Sequence, residues 1–200
     1  MNCFIDAMHY FRQGGLVMFF LLAISLWVWG LIAERIYFFL KNSGRAMRPE
    51  LAVSMVSGSM PAPSGTAMDV CAELAVHFRR YCCGNPDLDS KILEEHWLRQ
   101  KKRIHQGLSL VAALAAAAPL LGLFGTVLGI IDTFGVISVF GTGNAKALAG
   151  GISKALVSTH CGLLVGIPAL LMYVLLQQQA RLLEARLKET RIVLKRNFTA

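Results

Sequence analysis

Three long runs without a charged residue constrain the fold of this chain more than any other feature. They cover Gln13–Ala33, Gln106–Ile131 and Ala155–Ala180 and contain 21, 26 and 26 residues. A helix needs about 20 apolar residues to cross the hydrocarbon core of a bilayer. In a 200-residue chain these runs leave no room for a large soluble catalytic domain. The sequence therefore predicts an all-α integral membrane protein with three transmembrane helices, and not an enzyme.

The basic residues predict which side of the membrane each segment occupies. Seventeen of the 20 Lys and Arg residues lie in two stretches, 35–105 and 177–200. The positive-inside rule places both on the cytoplasmic side of the membrane. The basic residues of these two segments thus account for most of the net charge of +8. The sequence has no basic motif interleaved with aromatic residues that would suggest nucleic-acid binding. The predicted segments are a short extracytoplasmic N-terminus (1–14), transmembrane helix 1 (15–34), a cytoplasmic loop and helical region (35–105), transmembrane helix 2 (106–140), a short periplasmic hairpin (141–146), transmembrane helix 3 (147–176) and a cytoplasmic C-terminal helix (177–200).

The second and third spans are predicted to extend far beyond the bilayer. From Asp89, no helix breaker except Pro119 occurs before Gly141, and about 50 helical residues would measure roughly 75 Å. The third span continues past the membrane with its apolar residues at helical spacing: Leu176, Leu183, Leu187 and Leu194. Residues 42–66 are rich in Gly, Ser and Pro and indicate a linker around at most one short helix, followed by a helical stretch at 67–81.

Small residues recur at steps of three and four along both long spans. In lipid, helices associate by close packing through small side chains, because apolar bulk alone gives no net drive for association. We therefore expect the second and third spans to pack against protein, and the first span, rich in Leu, Phe and Trp, to suit lipid. The residues expected in helix packing are Gly122, Gly125, Gly129, Gly162, Gly166, Pro119 and Pro168.

Two threonines on these stripes form a candidate ion pathway. If the hairpin turns between residues 142 and 143, Thr126 and Thr159 lie at the same height along the two antiparallel helices, roughly 25 Å from the turn. A hydroxyl pair in an apolar interior is the kind of sparse polar lining that an ion path needs. Alternatively, each hydroxyl bonds the backbone of its own helix, as membrane threonines usually do.

Two charged residues in the outer halves of the long spans form a second candidate site. The same turn places Asp132 level with Lys154 to within one residue. An unpaired charge at that depth is costly, which favours an interhelical ion pair. Both side chains could instead reach separately to the membrane surface.

Neither a metal site nor a cofactor is predicted. The five cysteines lack the spacing of a CxxC ligand pair, and His77 with Cys82-Cys83 is too loose a group for zinc. The hairpin sequence GTGNAK lacks the strand and the spacing of a phosphate-binding loop, which argues against an ATP-driven pump.

The segment AAAAPLLGLFGTVLGIIDTF, followed by GISKALVSTHCGLLVGIPALLMY, resembles the MotA/TolQ/ExbB family of proton-channel subunits, and its ExbB/TolQ branch in particular. The resemblance is close over about 60 residues and agrees in topology with the whole chain. It implies a ring of subunits, usually a pentamer, whose second and third spans surround the helices of an ExbD/TolR-type partner. Thr126 and Thr159 match the two pore-facing threonines of that family.

The resemblance also implies a function. Subunits of this family, embedded in membrane lipid, convert proton-motive force into mechanical work for a TonB- or TolA-like protein. H⁺ and Na⁺ both remain open as the ion, and the alternative function is a non-conducting scaffold that holds a partner complex.

One position departs from the family pattern. Lys154 stands where the ExbB/TolQ branch commonly has a glutamate, and the position of Asp132 is often a neutral polar residue there. Either the acidic residue has moved to the neighbouring helix, with Lys154 as its counter-ion, or the chain belongs to a divergent branch with another partner, another output or altered conductance. The role of the family glutamate does not pass to Lys154.

Overall fold

The computed structural model describes residues 16–43, 49–56, 70–141 and 145–198, and nearly all of them are helical. The described residues contain no strand, so the all-α prediction is confirmed. The helices are α1 (Leu16–Ser43), α2 (Pro49–Val56), α3 (Val70–Tyr81), α4 (Pro86–His105), α5 (Leu108–Phe140) and α6 (Ala145–Phe198). The predicted N-terminal segment 1–14 and residues 142–144 of the predicted hairpin lie outside the described residues.

Three stretches of helix are long and apolar enough to cross a membrane. They lie within 17–42, 86–140 and 148–198, in agreement with the three predicted spans. The continuous third helix is confirmed, because α6 runs for 54 residues through Pro168 without a break. The short helix in the linker is also observed, as α2.

The prediction of one uninterrupted helix from Asp89 to Gly141 was wrong. A turn at Gln106 and Gly107 separates α4 from α5, and Gly107 has a φ of +77°. A glycine in this left-handed conformation commonly ends a helix, because it has no Cβ to clash. The space beside it is filled by Arg35, whose Nε would lie 3.2 Å from a Cβ on Gly107. Arg35 also donates a hydrogen bond to the carbonyl of Arg103, in the last turn of α4 (3.4 Å).

The start of α4 also differs from the prediction, by three residues. The helix begins at Pro86, and the side chain of Asn85 caps it by accepting a hydrogen bond from the backbone N–H of Asp87 (3.2 Å). Asp89, expected at the helix start, is buried in the first turn instead. It accepts hydrogen bonds from the backbone N–H groups of Cys83 (2.9 Å) and Gly84 (3.1 Å), and so fixes the turn between α3 and α4.

The chain divides into two compact units. The first, here called the membrane unit, comprises the described residues within 16–32 and 109–173. Its core contains Val17, Met18 and Leu21 of α1 packed with Ala118 of α5, and Cys161 and Val165 of α6 lie against this cluster. The first helix therefore packs on one particular side of α5 and α6.

The second unit comprises the described residues within 33–108 and 174–198. It is here called the extramembrane unit because most of its residues lie outside the three uncharged runs. Helix α3 packs against α2 and α4, and Phe78, Leu93 and Ile104 are fully buried. The four leucines predicted to share one face of α6 are all buried: Leu176, Leu183, Leu187 and Leu194. The prediction that this segment is an amphipathic helix is thus confirmed.

Candidate functional site: the seam between α5 and α6

Small residues bring the backbones of α5 and α6 into direct contact. A Cβ on Gly162 would lie 2.8 Å from the carbonyl oxygen of Ala118 and 2.9 Å from the Cα of Gly122. A Cβ on Gly129 would lie 2.8 Å from the Cβ of Ala155. No side chain larger than hydrogen fits at these glycines without movement of the opposite helix. The line of these contacts is called the seam below.

The seam also accommodates Pro119. A Cβ on Gly166 would lie 2.6 Å from both Cγ and Cδ of the Pro119 ring. Gly125 lies against Ser158 in the same way, and Gly151 against Thr133. Pro168, the last of the residues expected in packing, is partly exposed and lies inside the unbroken α6.

The structure places Thr126 and Thr159 near one level of the seam. Gly125 and Ser158, the residues immediately before the two threonines, contact each other across it. The Thr159 hydroxyl lies within 3.4 Å of the carbonyl oxygens of Gly122, across the seam, and of Ala155, in its own helix. The Thr126 hydroxyl donates to the carbonyl of Leu123, in its own helix, at 2.6 Å.

Both threonines lie on the far side of the seam from α1. Gly125 and Ser158 are turned toward α1, since a Cβ on Gly125 would meet both Ser158 and Val17. Each threonine follows one of these two residues, so its side chain points about 100° further round the helix. Neither threonine belongs to the apolar cluster around Val17. The two hydroxyls are thus presented on a side of the seam that the first helix leaves open.

Asp132 and Lys154 are in contact. Lys154 Nζ lies 2.6 Å from Asp132 Oδ2, and both side chains are partly exposed. Lys154 is seven residues before Cys161, and Asp132 is seven residues after Gly125, so both continue the stripes that face α1. The ion pair and the two threonines are therefore on opposite sides of the seam.

Ser158 is a polar seam residue that the sequence reasoning missed. It is fully buried, and its hydroxyl donates to the carbonyl of Lys154 at 2.8 Å. Its position beside Thr159, on the stripe that includes Cys161, was the available signal. Because its hydroxyl donates to a backbone carbonyl of its own helix, Ser158 is a suitable control residue for Thr159.

A pair of stacked histidines in the extramembrane unit also escaped the sequence reasoning. The rings of His77 on α3 and His96 on α4 stack with centroids 3.8 Å apart. Burial lowers the pKa of His96, with a further contribution from His77 and an opposing one from Glu73. Among the described residues, no group of three His, Cys, Asp or Glu side chains could hold a metal ion.

We expect the packing of α3 on α4 to weaken in mild acid. Because the pKa of His96 is lowered from 6.5 in the folded chain, the unfolded chain binds a proton first as the pH falls through about 6.5. Stability should therefore fall from pH 7.5 to pH 5.5. Hydrogen exchange of α3 amides, corrected for intrinsic rates, should rise over this range in the wild type, and the rise should be smaller in His96→Gln. An equal rise in both proteins would contradict the assignment.

The sequence of this chain matches a known protein family. The model of the MotA/TolQ/ExbB proton channel family matches residues 74–189, more than half of the chain. The chain belongs to this family. The match includes the whole seam, the two threonines and the ion pair. Family membership and the three apolar helices together identify a membrane protein.

Several relatives in this family carry the name ExbB. The chain is 42% identical over 82 residues to the biopolymer transport protein ExbB of Neisseria gonorrhoeae, covering 41% of this chain and 37% of that protein. It is 40% identical over 81 residues to the ExbB of Aquifex aeolicus, covering 40% and 55%. A putative ExbB-like biopolymer transport protein of Synechocystis is 30% identical over 181 residues, covering 82% of this chain and 67% of its own length. The chain thus spans well under two thirds of the length of the gonococcal relative.

Proposed function

We propose that this protein is a subunit of an inner-membrane proton channel that converts proton-motive force into mechanical work. In this proposal the chain assembles as a ring, usually of five copies, around an ExbD/TolR-type single-span partner. The complex energises envelope transport through a TonB- or TolA-like protein. The relatives named as biopolymer transport proteins support this kind of work.

The main observation in support of the proposal is the position of the Thr126 and Thr159 side chains. They lie near one level, on the side of the seam away from α1. If α1 faces lipid, this side of each copy can face the axis of a ring and contribute two hydroxyls to its lining. Leu123 and Phe124 beside Thr126 are exposed, as are Leu156 and Leu163 beside Thr159, which leaves apolar surface for the partner helices and neighbouring copies.

The proposed orientation follows from the two units. The described parts of 35–105 and 177–200, the two stretches that carry most of the basic residues, lie in the extramembrane unit. We assign this unit to the cytoplasm, the N-terminus to the periplasm and the C-terminus to the cytoplasm.

Proton flux into vesicles tests the proposal. The complex with its partner would be reconstituted, a potential applied, and acidification followed with a pH-sensitive dye. Thr126→Ala and Thr159→Ala should each lower partner-dependent flux by about tenfold, the effect of losing about 1.4 kcal/mol of stabilisation for the ion in transit.

Ser158→Ala is the matched control. It removes a hydroxyl one residue from Thr159, but on the side of α6 that faces α1, so flux should stay close to the wild-type value. Flux that is indifferent to both threonine changes would favour the non-conducting scaffold. Equal losses in all three variants would indicate a packing defect instead of a lost pathway.

A further inference from the structure

Two adjacent cysteines, Cys82 and Cys83, lie in the turn between α3 and α4, and the proposed channel does not use them. Neither forms a disulfide, and both side chains are exposed. They follow Tyr81, the last residue of α3, and precede Pro86, the first residue of α4. Both sulfurs are therefore accessible to a small molecule, and the backbone between them can change without breaking a helix.

The buried carboxylate of Asp89 fixes the conformation of this turn. It accepts three hydrogen bonds, from the thiol of Cys82 (3.1 Å) and from the backbone N–H groups of Cys83 (2.9 Å) and Gly84 (3.1 Å). These donors favour the ionised carboxylate and lower the pKa of Asp89, the N–H of Cys83 contributing most. One of the three donors is a thiol, and oxidation to a disulfide would remove its hydrogen. The turn thus depends in part on the redox state of Cys82.

The two thiols differ in their surroundings. Partial burial of the sulfur and the hydrogen bond to Asp89 raise the pKa of the Cys82 thiol, which disfavours its thiolate form. The thiolate is the form that attacks a disulfide. The Cys83 sulfur donates only to the carbonyl of Tyr81 (3.2 Å), in an exposed contact that water can replace. Exchange with an external disulfide should therefore start at Cys83.

We propose that Cys82 and Cys83 are a redox modification site, at which a low-molecular-weight disulfide such as oxidised glutathione converts the two thiols into one disulfide bond. The Cys83 thiolate attacks a sulfur of the small disulfide, which forms a mixed disulfide and releases one small thiolate. The Cys82 sulfur loses its proton to solvent, attacks the Cys83 sulfur and releases the second small thiolate. The cysteines lose two electrons and two protons, and the small disulfide is reduced to two thiols.

The disulfide between adjacent cysteines is strained and therefore easily reversed. Adjacent Cα atoms lie about 3.8 Å apart, whereas disulfides usually join Cα atoms roughly 4.4–6.8 Å apart. Strained, exposed disulfides are readily reduced, which suits a reversible switch. In the disulfide form Asp89 has lost the Cys82 donor, so the turn that it fixes loosens. The proposal concerns this turn alone and is independent of proton conduction.

Mass spectrometry and hydrogen exchange on the purified full chain test the proposal. The protein in detergent would be incubated with excess oxidised glutathione, and the remaining thiols alkylated without reduction. The peptide with Cys82 and Cys83 should be lighter than its reduced form by two hydrogens, while the buried Cys71 should stay reduced. Exchange of the Cys83 and Gly84 amides should rise by at least about fivefold, the effect of losing one ordinary hydrogen bond. Dithiothreitol should reverse both changes.

Cys82→Ser provides the control. A serine hydroxyl can donate to Asp89 as the thiol does, but it cannot form a disulfide. This variant should stop at the mixed disulfide on Cys83, and exchange of the Gly84 amide should stay close to its value before treatment. A wild-type protein that remains unmodified, stops at the mixed disulfide or forms a disulfide between two chains would overturn the proposal. An equal rise in exchange in the wild type and Cys82→Ser would also overturn it, as would a disulfide that leaves this exchange unchanged.

Discussion

Replacing Gly162 by alanine is expected to destabilise the membrane unit by roughly 2–3 kcal/mol, the upper part of the usual cost of overpacking. The added Cβ would lie 2.8 Å from the carbonyl oxygen of Ala118 and 2.9 Å from the Cα of Gly122. Both are backbone atoms, so the clash can be relieved only by moving α5 away from α6. Unfolding of the purified protein by a denaturing detergent, followed by circular dichroism, measures the change.

Two other glycines provide controls, because their replacement by alanine should not lower the stability. Gly135 on α5 and Gly150 on α6 have no atom within 4 Å of a built Cβ. Alanine has a higher helix propensity than glycine, by about 1 kcal/mol. Gly135→Ala and Gly150→Ala should therefore be neutral or slightly stabilising. If Gly162→Ala behaves as they do, the seam is not the close backbone contact described here.

Breaking the Asp132–Lys154 pair on one side only is expected to cost roughly 1–2 kcal/mol. Each single change, Asp132→Ala or Lys154→Ala, leaves one charge without its partner in a segment that we assign to the membrane. The double change removes both charges and should cost less than the sum of the single changes. A double-mutant cycle on detergent unfolding should give a coupling energy of at least about 1 kcal/mol.

The exposed pair of Glu95 and Arg99 is the control for this cycle. Its atoms lie 3.1 Å apart one turn along α4, and both side chains are well hydrated. Its coupling energy should be about 0.5 kcal/mol or less.

The charge swap of Asp132→Lys with Lys154→Asp should recover most of the stability that the single changes lose. A swap no more stable than the single variants would contradict a direct pairing.

The sequence alone was sufficient for the features that depend on local pattern. Uncharged runs longer than 20 residues predict the spans, and the four-leucine face of α6 follows from helical spacing. The small residues of the seam could be named because lipid offers helices few other ways to pack closely. In each case the relevant residues are neighbours on one helix.

Contacts between segments that neither helical spacing nor the α5–α6 hairpin relates could not be predicted. Gly107 is the second residue of the uncharged run Gln106–Ile131, and its role as a helix terminus is visible only where Arg35, far along the chain, occupies the space beside it. His77 and His96 are on different helices, so no spacing rule brings their rings together. The side of the seam that Thr126 and Thr159 occupy is defined only relative to α1.

The central claim is that the side of the seam away from α1 faces the axis of a ring. An electron-microscopy structure of the complex with its partner, in a lipid nanodisc, tests this most directly through the distances of side chains from the symmetry axis. We predict that the hydroxyls of Thr126 and Thr159 lie closer to the axis than the hydroxyl of Ser158 and the carboxylate of Asp132, with α1 outermost. A ring with α1 at the axis, or with both threonines facing lipid, would contradict it.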